Sequence, residues 1–293
     1  MKTVVLDLDG SATGIDDALV LPLRESEQAL RFACSMRRLD QFSTRLQALL
    51  PDVHGTVLTG SGDFHHLSLP LIQRAAARHG SLMVVVLDNH PDNMRFPFAV
   101  HCGSWVRRVS ALPGVEHVHV VGITSPDIGA GHAWQNYWRP LRQGRLTYWS
   151  TGVDTDWSAR FGMGSAFRSF ADTDALLQSL VQHLQDSQTP LYLSIDKDVL
   201  SAEDARTNWD QGVMRVHQMV SLIRCWHGRI VASDITGEIS QIRYRHLWKR
   251  ALAALDGQPA VAAAKLEQWQ RQQSALNLTL LQALDQASVA RAG

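Results

Sequence analysis

Short apolar runs rich in β-branched residues recur along the chain, at residues 3–8, 55–59, 82–87, 117–122, 145–149, 191–195 and 229–233. Between them lie stretches with apolar residues at helical spacing, at 25–50, 67–79, 173–185 and 216–226. Strands that alternate with helices predict right-handed crossovers and a parallel sheet covered on both faces. The economical arrangement is a three-layer α/β/α sandwich. From about residue 243 onward the chain is rich in Ala, Gln and Leu with few breakers. That composition predicts one or two closing helices with a frayed tail, or an oligomer contact. No internal repeat and no Pro- or Ser-rich linker divides residues 1–293, so a single α/β domain is expected.

Two of the strand runs end in acidic motifs. Residues 82–87 lead into Asp88-Asn89-His90-Pro91-Asp92, and residues 191–195 into Asp196-Lys197-Asp198. If those strands are neighbours, four carboxylates and the His90 imidazole converge at the carboxyl ends of the strands, where α/β sheets keep their chemistry. Four ionised carboxylates so close would repel, and some would be driven to hold protons. Two divalent cations, formally +4 against the −4 of Asp88, Asp92, Asp196 and Asp198, remove that cost and are a known means of activating water. A third run leads into Gly60-Ser61-Gly62-Asp63-Phe64-His65-His66, whose glycines permit a tight turn beside the crevice. His65 is the preferred nitrogen ligand there and His66 the alternative, because consecutive residues point in different directions and spacing alone does not choose.

At 293 residues and 45% hydrophobic content the chain buries a large core. Lys plus Arg and Asp plus Glu balance at 28 each, so no overall charge draws it to nucleic acid or an anionic membrane. The three cysteines, Cys34, Cys102 and Cys225, have no Cys-Xaa-Xaa-Cys spacing. That argues against a disulfide framework or a thiolate zinc site and fits a reducing cytoplasm. No run reaches the roughly 18 apolar residues that span a bilayer. Asp7 and Asp9 inside the first apolar stretch also make a poor signal peptide, so a soluble protein is expected.

The order Gly-Asp-Phe-His, Asp-Xaa-His-Xaa-Asp and Ser-Ile-Asp-Xaa-Asp, within residues 55–240, resembles the ureohydrolases, the superfamily of arginase, agmatinase and formimidoylglutamase. The resemblance implies an α/β/α sandwich with a mostly parallel, about eight-stranded sheet. It also implies a binuclear manganese centre at the matching positions His65, Asp88, His90, Asp92, Asp196 and Asp198. Oxygen donors with imidazole and no thiolate independently favour Mn2+ over a structural zinc, although Fe, Co, Ni or Zn could occupy such a site. The implied reaction is attack of a metal-bridging hydroxide on a guanidinium carbon, with loss of an amine. Two cations, four carboxylates and one hydroxide sum to about −1, which suits a cationic guanidino substrate.

By the same resemblance His101, in Val100-His101-Cys102-Gly103, matches a histidine that shuttles protons to the leaving amine. Glu238 lies near a carboxylate that binds the guanidinium as a bidentate pair. The spacing there is out by one, since the family has Asp-Xaa-Xaa-Glu and this chain has Asp234-Ile235-Thr236-Gly237-Glu238. An extra Phe64 separates Asp63 from His65, and Ser201-Ala202 stands where an Asp-Pro usually follows the second acidic motif. The chain reads as a divergent member, a C–N hydrolase of a guanidino or amidino compound.

Three other readings stand beside it. Tandem His65-His66 also suits a deacetylase-like amide hydrolase with a single zinc, a site that would not need Asp92 and Asp198. Asp7-Leu8-Asp9-Gly10-Ser11 has the form of a phosphotransferase motif, but no later Lys and acidic pair completes it, so it reads as a polar turn. A member that binds metal without catalysis is the third. Trp134, Trp138 and Trp149 are expected to pack a lid or the core, and Trp209 to line the pocket.

Overall fold

The computed structural model describes residues 1–97, 99–241, 244–255 and 263–288. Its strands are β1 (Val4–Asp7), β2 (Leu19–Pro22), β3 (Ala33–Ser35), β4 (Val57–Gly60), β5 (Leu82–Leu87), β6 (Ala99–His101), β7 (Val115–Ile123), β8 (Leu146–Thr151), β9 (Phe167–Phe170), β10 (Leu191–Asp196) and β11 (Ile230–Thr236). Nine of them form one sheet in the order β2-β1-β4-β11-β10-β5-β7-β8-β9, with every neighbouring pair parallel. The seven runs expected as strands are all in it. The edge strands β2 and β9 are additions. Each has four residues of which only one is buried; β9 breaks its aromatics with Arg168 and Ser169, and β2, though apolar, is short and ends in Pro22.

Strand β5 shows why the central runs are apolar throughout. Leu82, Val84 and Val86 pack into one core, and Met83, Val85 and Leu87 into the core on the opposite face. Alternate side chains therefore both need apolar surroundings. The first face is covered by the helices Met36–Leu49 and Ser68–His79. The second is covered by Thr173–Leu184, Val216–Cys225 and Ala263–Ala287. The two closing helices are Leu247–Leu255 and Ala263–Ala287. Arg243, where they were expected to begin, and the tail beyond residue 288 lie outside the described residues.

The helix expected over 25–50 is a correction. Short helical turns end at Leu30, Phe32 takes a left-handed φ of 70°, and β3 intervenes before the helix Met36–Leu49. The break is enforced from outside the segment. Phe32 N donates to Asp63 O at 2.9 Å, and β3 pairs antiparallel with β6. The Arg31 side chain is buried among Asp9, Asp63 and Glu27. Burial opposes its charge, but the attraction of Asp63 and Asp9 outweighs that and raises its pKa.

Strand β5 is followed in the sheet by β7 on one side, and β10 by β11 on the other. The chain thus leaves this adjacent pair in opposite directions, which opens a crevice beyond their carboxyl ends. Leu87 pairs with Ile195, so Asp88 and Asp196 emerge into that crevice at the same height.

Candidate metal centre

Three loops converge here. Beyond β4, Gly60 turns with a φ of 92°, where a Cβ would lie 2.8 Å from Asp9 Oδ1, and the turn Gly62–Leu67 carries His65. Beyond β5, Asp92 adopts a φ of 46°, a conformation uncommon for a residue with a side chain. Trp105 Nε1 donates to Asp92 Oδ2 at 2.5 Å, and Val106 N donates to its carbonyl at 3.0 Å, so surrounding structure fixes that turn. Beyond β10, Asp196 accepts from Asp198 N at 3.1 Å.

His65 Nδ1 lies 3.2 Å from Asp88 Oδ2, 3.0 Å from Asp92 Oδ2 and 3.4 Å from Asp196 Oδ2. His90 Nδ1 lies 3.0 Å from Asp198 Oδ2 and 3.6 Å from Asp88 Oδ1. Two sets of donors result, His65 with Asp88 and Asp196, and His90 with Asp88 and Asp198. Asp88 belongs to both. All six residues expected as ligands are therefore in one cluster, with His65 rather than His66 among them. His66 is buried with Nε2 3.8 Å from Cys34 Sγ, and burial followed by repulsion from neighbouring cations holds its pKa down at about 3.

Outer hydrogen bonds orient both imidazoles. His65 Nε2 is 3.1 Å from Ser194 Oγ, which donates to Asp234 Oδ1 at 2.9 Å; Tyr192 and Ser68 also donate to Asp234. Ser194 is thus left to accept from His65, and Nδ1 faces the carboxylates. His90 Nε2 is 2.8 Å from Asp210 Oδ1. Sequence reasoning missed Ser194, Asp234 and Asp210, although a serine inside the apolar run of β10 was a signal.

Burial and then the neighbouring Asp88 push Asp92 and Asp198 up to about 7, and burial with Asp198 raises Asp196 well above the carboxylate range. Burial would raise Asp88 too, but hydrogen bonds and charge from His65 and His90 more than reverse it. The two imidazoles are raised, since their carboxylate partners outweigh burial. Without metal the cluster balances its repulsion with protons. Asp88 Oδ2 is buried and receives no well-aligned hydrogen bond among the described residues. A carboxylate whose Oδ2 faces His65 without a well-aligned donor and whose Oδ1 faces His90, in an oxygen-rich donor set, fits a pair of divalent ions.

No family model matches the chain. A protein of Thermotoga maritima, described as uncharacterized, is 26% identical over 205 residues, a match spanning 70% of this chain and 65% of that protein's length. The structure of proclavaminate amidino hydrolase from Streptomyces clavuligerus is similar with a TM-score of 0.55, over 97% of this chain and 92% of that one, at 17% identity. Formimidoylglutamase from Bacillus subtilis subsp. subtilis str. 168 gives 0.56 over 98% and 87%, at 14% identity. Arginases match too, with TM-scores of 0.50 to 0.52. The chain has the arginase-like fold.

In this arginase-like fold a cavity of about 400 Å³ opens over the cluster, with Trp209 on its wall as expected. His101 lines it as well. Its Nδ1 accepts from Gly103 N at 2.9 Å, and burial holds its pKa at about 4. Glu238 is not brought to the cavity. It is buried, and its Oε1 is taken by Lys197 Nζ at 2.5 Å and Asn277 Nδ2 at 2.6 Å. The physical reason lies one residue earlier. Gly237 holds the third place after Asp234, with a φ of 88°, and a Cβ there would lie 2.5 Å from Asp196 Oδ1 and 2.7 Å from Lys197 N.

Asp7 and Asp9 are occupied by Arg24 at 2.8 Å and Arg31 at 2.9 Å, which agrees with a structural turn at the first strand. Trp149 is buried and Trp138 packs on Trp157 and Phe161, but Trp134 is 67% exposed, contrary to the packing expected of it. Its neighbours His132 and Gln135 line the cavity, which leaves the indole on the outer side of that turn. No helix among the described residues is long and apolar enough to cross a membrane.

Proposed function

We propose that the protein is a binuclear-metal hydrolase that cleaves a C–N bond of a guanidino or amidino compound. The observation that carries this reading is the pair of donor sets joined through Asp88 at the sheet's switch point. His65, Asp92 and Asp196 would serve one ion and His90 and Asp198 the other, with Asp88 common to both. The oxygen-rich set favours Mn2+. Bound ions would lower the pKa of a water and so supply a nucleophile near neutral pH.

The chain's own groups provide the rest. His101 is neutral near pH 7 and accepts at Nδ1, so its proton sits on Nε2, from which it can donate a hydrogen bond to a substrate nitrogen. Among the described residues no Lys or Arg lines the cavity, whereas Asp127 and Asp210 do. Those walls favour a cationic or neutral substrate over an anionic one.

A second reading, a metal-binding member without catalysis, is favoured by the withdrawal of Glu238 from the cavity. Metal analysis of the purified protein, with an assay for urea or ammonia release over a panel of guanidino and amidino compounds, separates the possibilities. Two equivalents with release supports the hydrolase. Two equivalents and an inert protein support the second reading, and one equivalent points to the deacetylase-like site.

A further inference from the structure

We infer that Asp210 is the positioning residue that holds His90 for its metal ion. His90 turns Nδ1 to Asp198 and Asp88, while Nε2, on the other side of the ring, lies 2.8 Å from Asp210 Oδ1. With a carboxylate accepting there, the ring proton stays on Nε2 and Nδ1 keeps its lone pair for the ion. Such a partner fixes the ring's orientation and raises its basicity as a ligand.

Asp210 is itself held in place. Asn89 Nδ2 donates to the Asp210 carbonyl at 3.2 Å and to its Oδ2 at 3.3 Å. The buried Asn89 also donates its backbone N–H to Asp198 Oδ1 at 3.1 Å and accepts from Thr124 N at 3.1 Å and Thr124 Oγ1 at 2.6 Å. Two residues past Asp210, Gly212 N donates to Asp198 O at 2.7 Å. The segment carrying Asp210 is thereby tied to the loops after β5, β7 and β10. The Asp210 side chain is 66% exposed, so replacing it does not open the core.

The inference rests on the binuclear reading. Metal-free wild type, Asp210→Ala, Asp210→Asn and Asp52→Asn would be titrated with Mn2+, with free ion followed by its EPR signal; Asp52 is an exposed carboxylate outside the cavity. The wild type is expected to take two equivalents. Asp210→Ala should bind one of them about 10–100-fold more weakly and leave the other unchanged. Asp210→Asn, whose amide oxygen still accepts from Nε2–H, should recover most of that loss, and Asp52→Asn should match the wild type. Asp210→Ala binding both ions as tightly as the wild type, or weakening both equally, overturns the inference while the binuclear reading stands. A wild type that takes no second ion overturns that reading, and this inference with it.

Discussion

Lys197 Nζ lies 2.5 Å from Glu238 Oε1, and both side chains are buried. Asn277 bridges them from the last helix, accepting from Lys197 at 3.0 Å and donating to Glu238 at 2.6 Å. Because Lys197 stands between Asp196 and Asp198, the group ties the second acidic loop to the end of β11. Removing one partner of a buried ion pair costs about 3–5 kcal/mol. Glu238→Gln is expected to lose stability on that scale in urea unfolding at fixed metal concentration. Unchanged stability with a raised KM would return Glu238 to substrate binding.

Asp88 serves both donor sets, whereas Asp198 serves one. Asp88→Ala is expected to bind neither ion tightly, and Asp198→Ala to retain one, as counted by elemental analysis after dialysis. Equal losses in the two variants would contradict the shared role of Asp88.

Tandem histidines would act together in a single-zinc mechanism, yet His65 faces the carboxylates and His66 faces Cys34. His65→Asn should cost one ion. His66→Asn should keep both and show mainly a stability loss of about 1–3 kcal/mol. Full metal content with catalysis abolished in His66→Asn would revive the tandem reading.

The neighbouring His117 and His119, with ring centroids 4.3 Å apart and His183 packed against His119, give a test in pH. Burial, reinforced by His183, Arg145 and Arg168 and opposed by a backbone hydrogen bond, holds His117 down at about 4. An unfolded histidine binds its proton near pH 6.5. The unfolded chain therefore carries more protons between those values, and stability falls as pH drops from about 6.5 towards 4. His117→Gln should remove this contribution, on the order of 2 kcal/mol by pH 5, read as the difference between the two proteins' urea midpoints. Parallel curves would show that His117 does not titrate as described.

The legible parts of the molecule were those encoded locally. Residues 82–87 and 191–195 announced themselves because both faces of each strand are buried, and the ligands were legible because they follow those strands at fixed short spacings. Residues 25–50 misled because both sides of the break share a helical period, while the break at Phe32 is imposed by Asp63 and β6. The choice between His65 and His66, the fate of Glu238 and the parts played by Ser194, Asp234 and Asp210 all depend on partners distant in sequence. Spacing carries no record of such partners.

Gly237 has a last consequence. With the Asp196 carboxylate and the Lys197 backbone already filling the space a side chain would need, the end of β11 is closed to variation. New specificity is better written in segment 125–136, which supplies Asp127, His132 and Gln135 to the cavity wall. Diversification there, by evolution or in a library, would change what the cavity accepts and spare the crossovers that bring the acidic loops together.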